Sequence, residues 1–369
     1  MKRKFTMSVL LGLAVLFLTV ACKSSPPSPE PEKAVLVPSP GVTDPNSAPP
    51  DQALLRTLDE AIKRTDNARK LVIDFNGPAY FPPEWQSAEA LRSQAEQQKR
   101  TSTVLETRDS IALYNKAADA YEALVGKTVA KYRDDIIDEG LTARYAAVRA
   151  EELIPDFITK ADNTALGADE KYKAKDYYGA RDDARNAITM YGLLKAGLDA
   201  YKVREEIANR DFEIYDPVNI EFADGRLESA ASDYTAGNFD ASRDKIEEAA
   251  LRYNLALKTA WESFAADKGA DASNVRQQAL DLKANVAVRQ EFNSAQAVFT
   301  NANTAFSSQK HEDAAKLFAE SSYMFDAVIK VAMKKRLAAE EALEKANQKI
   351  AESDETAKNA ERILEGGTP

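Results

Sequence analysis

The sequence predicts an all-α protein, built from stacked helical hairpins and preceded by a disordered tether. From residue 51 onward the chain has few Gly, only six of its fifteen Pro and no long alternation of apolar and polar residues. Ala, Glu, Lys, Leu and Arg dominate instead, which is typical of helical proteins. A helical pattern also recurs along this region, which indicates an array whose neighbouring hairpins bury each other's apolar faces.

The chain begins with the features of a secretory signal peptide at residues 1–21. Three basic residues at positions 2–4 precede an uncharged run at 5–20, and the small residue Ala21 closes the segment. Cys22, the only cysteine, follows directly. An uncleaved membrane anchor is the alternative, but crossing a bilayer takes about 20 apolar residues, so this run is marginal.

The residues before the cysteine resemble the lipobox of bacterial lipoproteins. The segment reads Leu-Thr-Val-Ala-Cys over 18–22, with Thr19 where the pattern usually has Leu, and relaxed boxes of this kind resemble those of spirochaetes. The resemblance implies that Cys22 carries a lipid anchor with acyl chains such as palmitate. It also implies a place in the cell envelope, as a periplasmic or outer-membrane lipoprotein. Which membrane and which leaflet stay open.

Residues 22–50 have the composition of a disordered tether. Nine of the fifteen prolines fall there, among Ser, Glu, Asp and Asn, and almost nothing apolar is available to bury. Because proline removes backbone donors, we expect the segment to be unpacked and extended, at about 3.1 Å per residue where it is polyproline-like. Such a tether would hold the folded body away from a membrane.

The charge balance excludes one class of partner. The formal net charge of the chain is −10, and removal of the three basic residues in the signal peptide leaves −13. An acidic surface repels nucleic-acid phosphates and anionic headgroups, so we expect no nucleic-acid partner and membrane contact only through the lipid. A single cysteine also excludes an intrachain disulfide framework.

The body divides into an N-terminal helical module at 51–138 and a region of helical repeats at 139–342. Helix starts are readable at Pro82, Pro155 and Pro217. Proline is tolerated in the first turn of a helix, where its missing N–H would have had no partner.

One segment of the repeat region recurs with unchanged internal spacing. It runs from Tyr172 to Tyr191, and its later copies are 234–253 and 306–325. Three- and four-residue steps stack on one helix face, so the aligned small residues predict hairpins whose helices approach closely. These small residues are Ala168, Ala230 and Ala302 in the first helix, then Ala180, Ser242 and Ala314 in the second.

A fainter earlier copy precedes these three, and its first helix aligns only with a gap. Its second helix carries Ser110, Tyr114, Ala117, Ala118 and Tyr121.

At this point the chain resembles the tetratricopeptide family. The turn Gly-Asn-Phe-Asp-Ala-Ser at 237–242 is similar to the family's turn, and Ala230, Ser242 and Ala249 stand where that family has its small packing residues. The unit is longer than the family's repeat of about 34 residues, and the family's first-helix Trp is missing. Over roughly 85–342 the chain therefore resembles a tetratricopeptide-like α-solenoid with long helices, similar to α-helical lipoproteins of spirochaetes.

Two columns of aromatic residues run through the repeats. The first column, most simply explained by packing between hairpins, is Tyr121, Tyr191, Tyr253 and Phe325. The second column lies near the face that lines the concave groove of tetratricopeptide arrays, where a peptide or an apolar ligand can bind. Its members Tyr172, Tyr234 and Phe306 are our candidate partner-binding residues, with core packing as the alternative.

The sequence offers little for catalysis. His311 is the only histidine and occupies a repeat turn, where packing or exposure explains it. These counts exclude cysteine-dependent and multi-histidine metal mechanisms, and the chain has no glycine-rich phosphate loop, nucleophile elbow or His-Glu-x-x-His pair. Carboxylate runs such as 134–139 and 182–183 are typical of solvated helix faces. We therefore expect no enzymatic activity, no cofactor and no metal site.

Residues 343–369 predict a charged C-terminal helix with a narrow apolar stripe. The stripe, which Ser353 interrupts, contains Ala346, Ile350, Ala357, Ala360 and Leu364. Such a helix either covers the open end of the array, which is the simpler expectation, or pairs with a partner helix.

Two functions fit these observations. The first is a lipid-anchored scaffold or assembly protein that binds other envelope proteins through its helical repeats. The alternative is an accessory lipoprotein that holds a small apolar molecule or peptide for a transporter. Co-purifying proteins would favour the first, and a bound small molecule would favour the second.

Overall fold

The computed structural model describes residues 44–366, and every regular element in this range is a helix. Two 3-10 turns lie at Pro45–Ser47 and Phe212–Ile214. The α-helices are α1 (Gln52–Asp74), α2 (Gly77–Tyr80), α3 (Pro82–Gln98), α4 (Val104–Ala146), α5 (Ala150–Leu153), α6 (Pro155–Lys173), α7 (Tyr177–Asn209), α8 (Pro217–Ala236), α9 (Phe239–Asp281), α10 (Ala284–Ala287), α11 (Arg289–Ser307) and α12 (His311–Leu364).

The helices form two rows. Five of them, α1, α4, α7, α9 and α12, contact one another in chain order, and the shorter helices α3, α6, α8 and α11 each pack on the long helix that follows. We call the pairs α3–α4, α6–α7, α8–α9 and α11–α12 repeats one to four. A long helix continues beyond its own pair, and its second half packs against the helices of the next repeat. In α9, for example, Tyr253 packs with Ile220 of α8, whereas Ala279 packs with Phe292 of α11.

The predicted helix starts are confirmed. The helices α3, α6 and α8 begin at Pro82, Pro155 and Pro217. At α8 the side chain of Asp216 also accepts a hydrogen bond from the backbone N–H of Asn219, which satisfies a donor that the helix cannot use internally.

The predicted close approach of the two helices in a repeat is also observed. Ala168, Ala230 and Ala302 are buried in the first helices. The Ser242 hydroxyl of α9 donates to the Ala230 carbonyl of α8 over 2.9 Å, a contact between helices that only small side chains permit. The second helices extend past Tyr191, Tyr253 and Phe325, as expected.

The gap in the alignment of repeat one with the later repeats lies in the connection between its two helices. In α3 the buried residues Ala88 and Ala95 are seven positions apart, like Ala161 and Ala168 in α6. Fifteen positions separate Ala95 from Ser110, whereas twelve separate Ala168 from its counterpart, so repeat one carries three extra residues around the connection at 99–103. The expected module boundary at 138–139 falls inside α4, because one continuous helix serves both repeat one and repeat two.

The end of the predicted tether contacts the start of α4. Residues 44–50 belong to the described part, and the Ala48 carbonyl there accepts a hydrogen bond of 2.8 Å from the Val104 N–H at the start of α4. The Asn46 side chain lies 3.4 Å from Arg108 of the same helix. Within 44–50 no residue is buried, and residues 22–43, which include Cys22, lie outside the described residues.

The charged C-terminal helix is not a cap. It is the continuation of α12, which has no break at 343, and burial stops at Ala332. Every residue from Met333 to Gly366 is exposed. The simpler expectation, that the C-terminal helix covers the end of the array, is therefore wrong for the described residues. We call 333–364 the α12 extension. None of the helices within 44–366 is long and apolar enough to cross a membrane.

Candidate ligand-binding grooves

Two apolar grooves lie between successive repeats. The repeat-two groove, between α4, α6 and α7, has a volume of about 410 Å³. The repeat-three groove, between α7, α8 and α9, has a volume of about 400 Å³. Both volumes fall in the range of small-molecule sites.

The two grooves are the same site seen in consecutive repeats. Tyr172 lines the first groove and its aligned counterpart Tyr234 lines the second. Five further aligned pairs line both grooves: Ala165 with Leu227, Ala168 with Ala230, Asp169 with Ala231, Ala180 with Ser242, and Ala184 with Ile246. Two of the three candidate partner-binding residues therefore lie in grooves.

Phe306, the third candidate, is half-buried in a cluster of rings. Its ring centroid lies 5.1 Å from that of His311 and 6.5 Å from that of Phe318. Phe318 is buried and also packs on Phe299 at 5.7 Å. In repeat four, aromatic side chains therefore occupy the position that corresponds to the grooves of repeats two and three.

The walls of the repeat-two groove are aliphatic and continue to the surface. Ile137, Leu141 and Leu166 line it and are 41%, 61% and 64% exposed. Exposed large apolar side chains that border a concave apolar surface mark a ligand or partner site more often than scattered ones do.

Charged groups border the same groove. Arg133 bonds Asp169 at 2.9 Å, and its guanidinium carbon lies 4.7 Å from the centre of the Tyr172 ring. Arg144 binds both carboxylate oxygens of Asp162. Three arginines and two aspartates line the groove in all, the third arginine being Arg181.

The repeat-three groove differs in chemistry, because no charged side chain lines it. Tyr234 is only 3% exposed, and its hydroxyl donates to the Phe157 carbonyl over 2.9 Å. That hydroxyl is already used within the protein, so Tyr234 contributes ring surface to the groove and packing to the core.

A polar trio of an arginine, a carboxylate and a tyrosine recurs in repeats one to three. In repeat two the Tyr191 hydroxyl donates to Asp162 over 2.6 Å, while Arg144 donates to the same carboxylate. The corresponding trios are Arg69–Glu89–Tyr121 in repeat one and Arg204–Asp224–Tyr253 in repeat three. Repeat four has Arg276, Gln296 and Phe325 at these positions, and there Arg276 donates to the Gln296 amide oxygen.

These contacts shift the ionisation of the trio in repeat two. The hydrogen bond from Arg144 lowers the pKa of Asp162, and donation from Tyr191 lowers it further, against the opposing effect of partial burial. Burial and the bond to Asp162 raise the pKa of Tyr191. The first aromatic column is therefore structural, as predicted, and its hydroxyls are held by carboxylates.

The acidic members of these trios are not among the residues that the sequence pattern predicts to be functional. Asp162 and Asp224 directly follow the buried residues Ala161 and Ala223, which stand at equivalent positions of repeats two and three, and an arginine precedes each aspartate by 18 to 20 residues. That pairing was a readable signal. Ala184 stands at the position of Ile246 and Phe318 in the later copies, but the alignment alone does not reveal whether the space beside a small residue is filled.

His311 is buried against Phe306, so packing explains it. Two of the carboxylates noted in the sequence make ion pairs on the surface, Asp135 with Lys131 and Asp183 with Lys171. Within 44–366, no three side chains of His, Cys, Asp or Glu are grouped so that they could hold a metal ion.

Compared with protein-family models, with curated proteins and with solved structures, the chain matches none.

Proposed function

We propose that the protein is a lipid-anchored scaffold of the cell envelope that binds other envelope proteins through helices. On this proposal Cys22 carries the lipid, the Pro-rich segment 22–50 forms the tether, and the repeats form a tetratricopeptide-like solenoid. The lipobox-like segment and the aligned hairpins support these assignments, and the function does not require catalysis.

The α12 extension is the observation that carries the proposal. Its described residues are exposed throughout, yet apolar side chains recur along one face at Leu343, Ile350, Ala357 and Leu364, seven residues apart. A seven-residue apolar repeat is the pattern of a helix that pairs with another helix. Seven basic and eight acidic residues of 333–366 surround this stripe, as on the solvated faces of paired helices.

Site-specific photocrosslinking in the native cell tests this proposal. A photoreactive residue in place of Ile350 should capture a defined envelope protein, whereas the same residue in place of Gln348, on the opposite face, should not. Ile350→Asp should abolish co-purification of that protein and Gln348→Asp should leave it intact. Equal capture from both faces, or from neither, would contradict the proposal.

The anchor has its own test. Cys22→Ser should leave the chain without lipid and move the body out of the detergent-soluble membrane fraction. Membrane retention that does not change would mean that the apolar run at 5–20 anchors the chain by itself.

The two grooves favour a second candidate function, the accessory carrier of a small apolar molecule or peptide for a transporter. A volume of about 400 Å³ with apolar walls is what such a molecule requires. Native mass spectrometry of protein purified from its own cells separates the candidates. A scaffold should co-purify with protein partners, and a carrier should co-purify with a bound small molecule.

A further inference from the structure

We propose that the repeat-two groove binds a free long-chain carboxylate, with its aliphatic chain along α4 and its carboxylate at Arg181. The inference rests on the second candidate function, the carrier, and names its ligand class and binding residues. Three independent features of the groove support it.

The first feature is a local reduction in side-chain size. Ala184 of α7 is aligned with Tyr114, Ile246 and Phe318 in the other repeats. Tyr114 and Phe318 are buried in apolar clusters. In repeat four the fit is so close that a Cβ added to Gly269 of α9 would lie 3.2 Å from the Phe318 ring. Repeat two lacks such a filling side chain, so its space is open to a ligand.

The second feature is the shape of the groove. Its lining follows α4 from Val129 to Arg144, a distance of about 22 Å at 1.5 Å per residue. A volume of about 410 Å³ spread along that length is long and narrow. A single aliphatic chain fits such a space better than a fused ring system does. The apolar residues at its mouth, Leu141 and Leu166, would cover the chain.

The third feature is charge. The five ionised groups that line the groove, three arginines and two aspartates, sum to +1 in a chain whose net charge is −10. Arg133 and Arg144 are paired with the two groove aspartates. Arg181 instead bonds Asp182, its neighbour in sequence, whose side chain is 62% exposed.

Arg181 is therefore the guanidinium best placed to accept a ligand anion. Exposure of the Asp182 side chain to solvent weakens its ion pair with Arg181, so a bound carboxylate can replace Asp182. The guanidinium carbon of Arg181 lies 5.2 Å from the centre of the Tyr178 ring and 5.6 Å from the centre of the Phe75 ring, and Phe75 also lines the groove. This stacking holds the cation at the groove, where it can make a two-pronged bond to a carboxylate.

Competition binding on the purified full chain tests the inference, with cis-parinaric acid as the fluorescent probe. Palmitate should displace the probe, hexadecanol should do so more weakly, and hexadecyltrimethylammonium should do so least. Ala184→Phe, which introduces the side chain of repeat four, should weaken palmitate binding by about tenfold or more because it fills the groove. Arg181→Gln should weaken palmitate binding about tenfold and leave hexadecanol binding unchanged.

The matched control is Ile246→Phe, which adds the same ring at the equivalent position of the repeat-three groove and should leave palmitate binding intact. If circular dichroism shows that Ala184→Phe does not fold, Ala165→Leu is the second variant. It narrows the same groove by introducing leucine, the residue that repeat three has at the equivalent position, Leu227. Loss of binding in Ile246→Phe alone, or equal binding of the three competitors, would overturn the inference.

Failure of the inference and failure of the carrier function are distinguishable. A wild-type chain that binds no palmitate overturns the ligand assignment, even if native mass spectrometry finds another bound molecule. If native mass spectrometry of protein purified from its own cells finds no bound molecule, the carrier function itself is contradicted.

Discussion

At the scale of single residues, the hydroxyl of a buried tyrosine determines which residue must face it. Tyr121, Tyr191 and Tyr253 each donate to a carboxylate that an arginine also binds. Where the ring is Phe325, the facing residue is the neutral Gln296. A buried polar group without a partner costs about 1–3 kcal/mol, so the hydroxyl and the carboxylate are kept or lost together.

Because of Asp162, the free energy of unfolding should depend on pH in the acidic range. Its pKa is lower in the folded chain than in the unfolded chain, so the folded state binds fewer protons and the stabilisation is fully present above the unfolded value, about 3.9. It should be lost as the pH falls from about 4 through the lower folded pKa. Urea unfolding of the wild type and of Asp162→Asn at several pH values measures this.

The expected result is a smaller loss of unfolding free energy with acid in Asp162→Asn than in the wild type. Asp240 provides a control, because its side chain is 94% exposed and Asp240→Asn should keep the wild-type slope. Identical slopes in all three proteins would contradict the role of the trio.

At the scale of the helix, small residues determine how closely neighbours approach. Along α9 the fully buried alanines are Ala249, Ala256, Ala260, Ala265, Ala272 and Ala279. They face α8 and α7 first and α12 later, as the long helix passes from one repeat to the next. Because interiors are close-packed, a larger side chain at these positions has no room.

Ala249→Leu should therefore destabilise the protein by about 1–3 kcal/mol through overpacking. Ala241, on the same helix but exposed, is the matched position, and Ala241→Leu should change stability by less than about 0.5 kcal/mol. Urea midpoints followed by circular dichroism compare the two. A similar effect of both substitutions would show that burial is not the cause.

At the scale of the whole molecule, shared long helices join four repeats into one array with an uncovered end. Each long helix contacts the next in chain order, so stability arises mainly between neighbours. The α12 extension lies beyond the last such contact. Its Lys335 ammonium still donates to the Ala287 carbonyl, and past that residue the helix is fully exposed.

A chain that ends at Leu337 should keep the stability of the folded body to within about 0.5 kcal/mol, because the removed residues bury nothing. A chain that ends at Tyr323 loses the buried Phe325, Val328 and Ile329 and should be clearly destabilised. Thermal unfolding of both, beside the full chain, makes the comparison. A large loss of stability in the chain that ends at Leu337 would mean that the extension supports the array.

Sequence reasoning predicted much of the fold and part of the grooves. It found the hairpins, the helix starts and the aligned alanines, because these depend on local spacing. It also singled out Tyr172 and Tyr234, which line the grooves. Asp162 was not predicted, because it contacts Tyr191 from another helix. The C-terminal helix was expected to cover the end of the array, whereas the extension is exposed.

The sequence by itself determined that the chain is helical, that its hairpins repeat, and that proline begins three of the helices. These properties follow from the conformational preferences of neighbouring residues. Only the tertiary structure decided where space remains. Ala184 lines a groove together with residues of α4 that stand 40 to 55 positions earlier, while the aligned Phe318 lies in a buried cluster. Free volume is a property of side chains that meet across helices, so local periodicity does not reveal it.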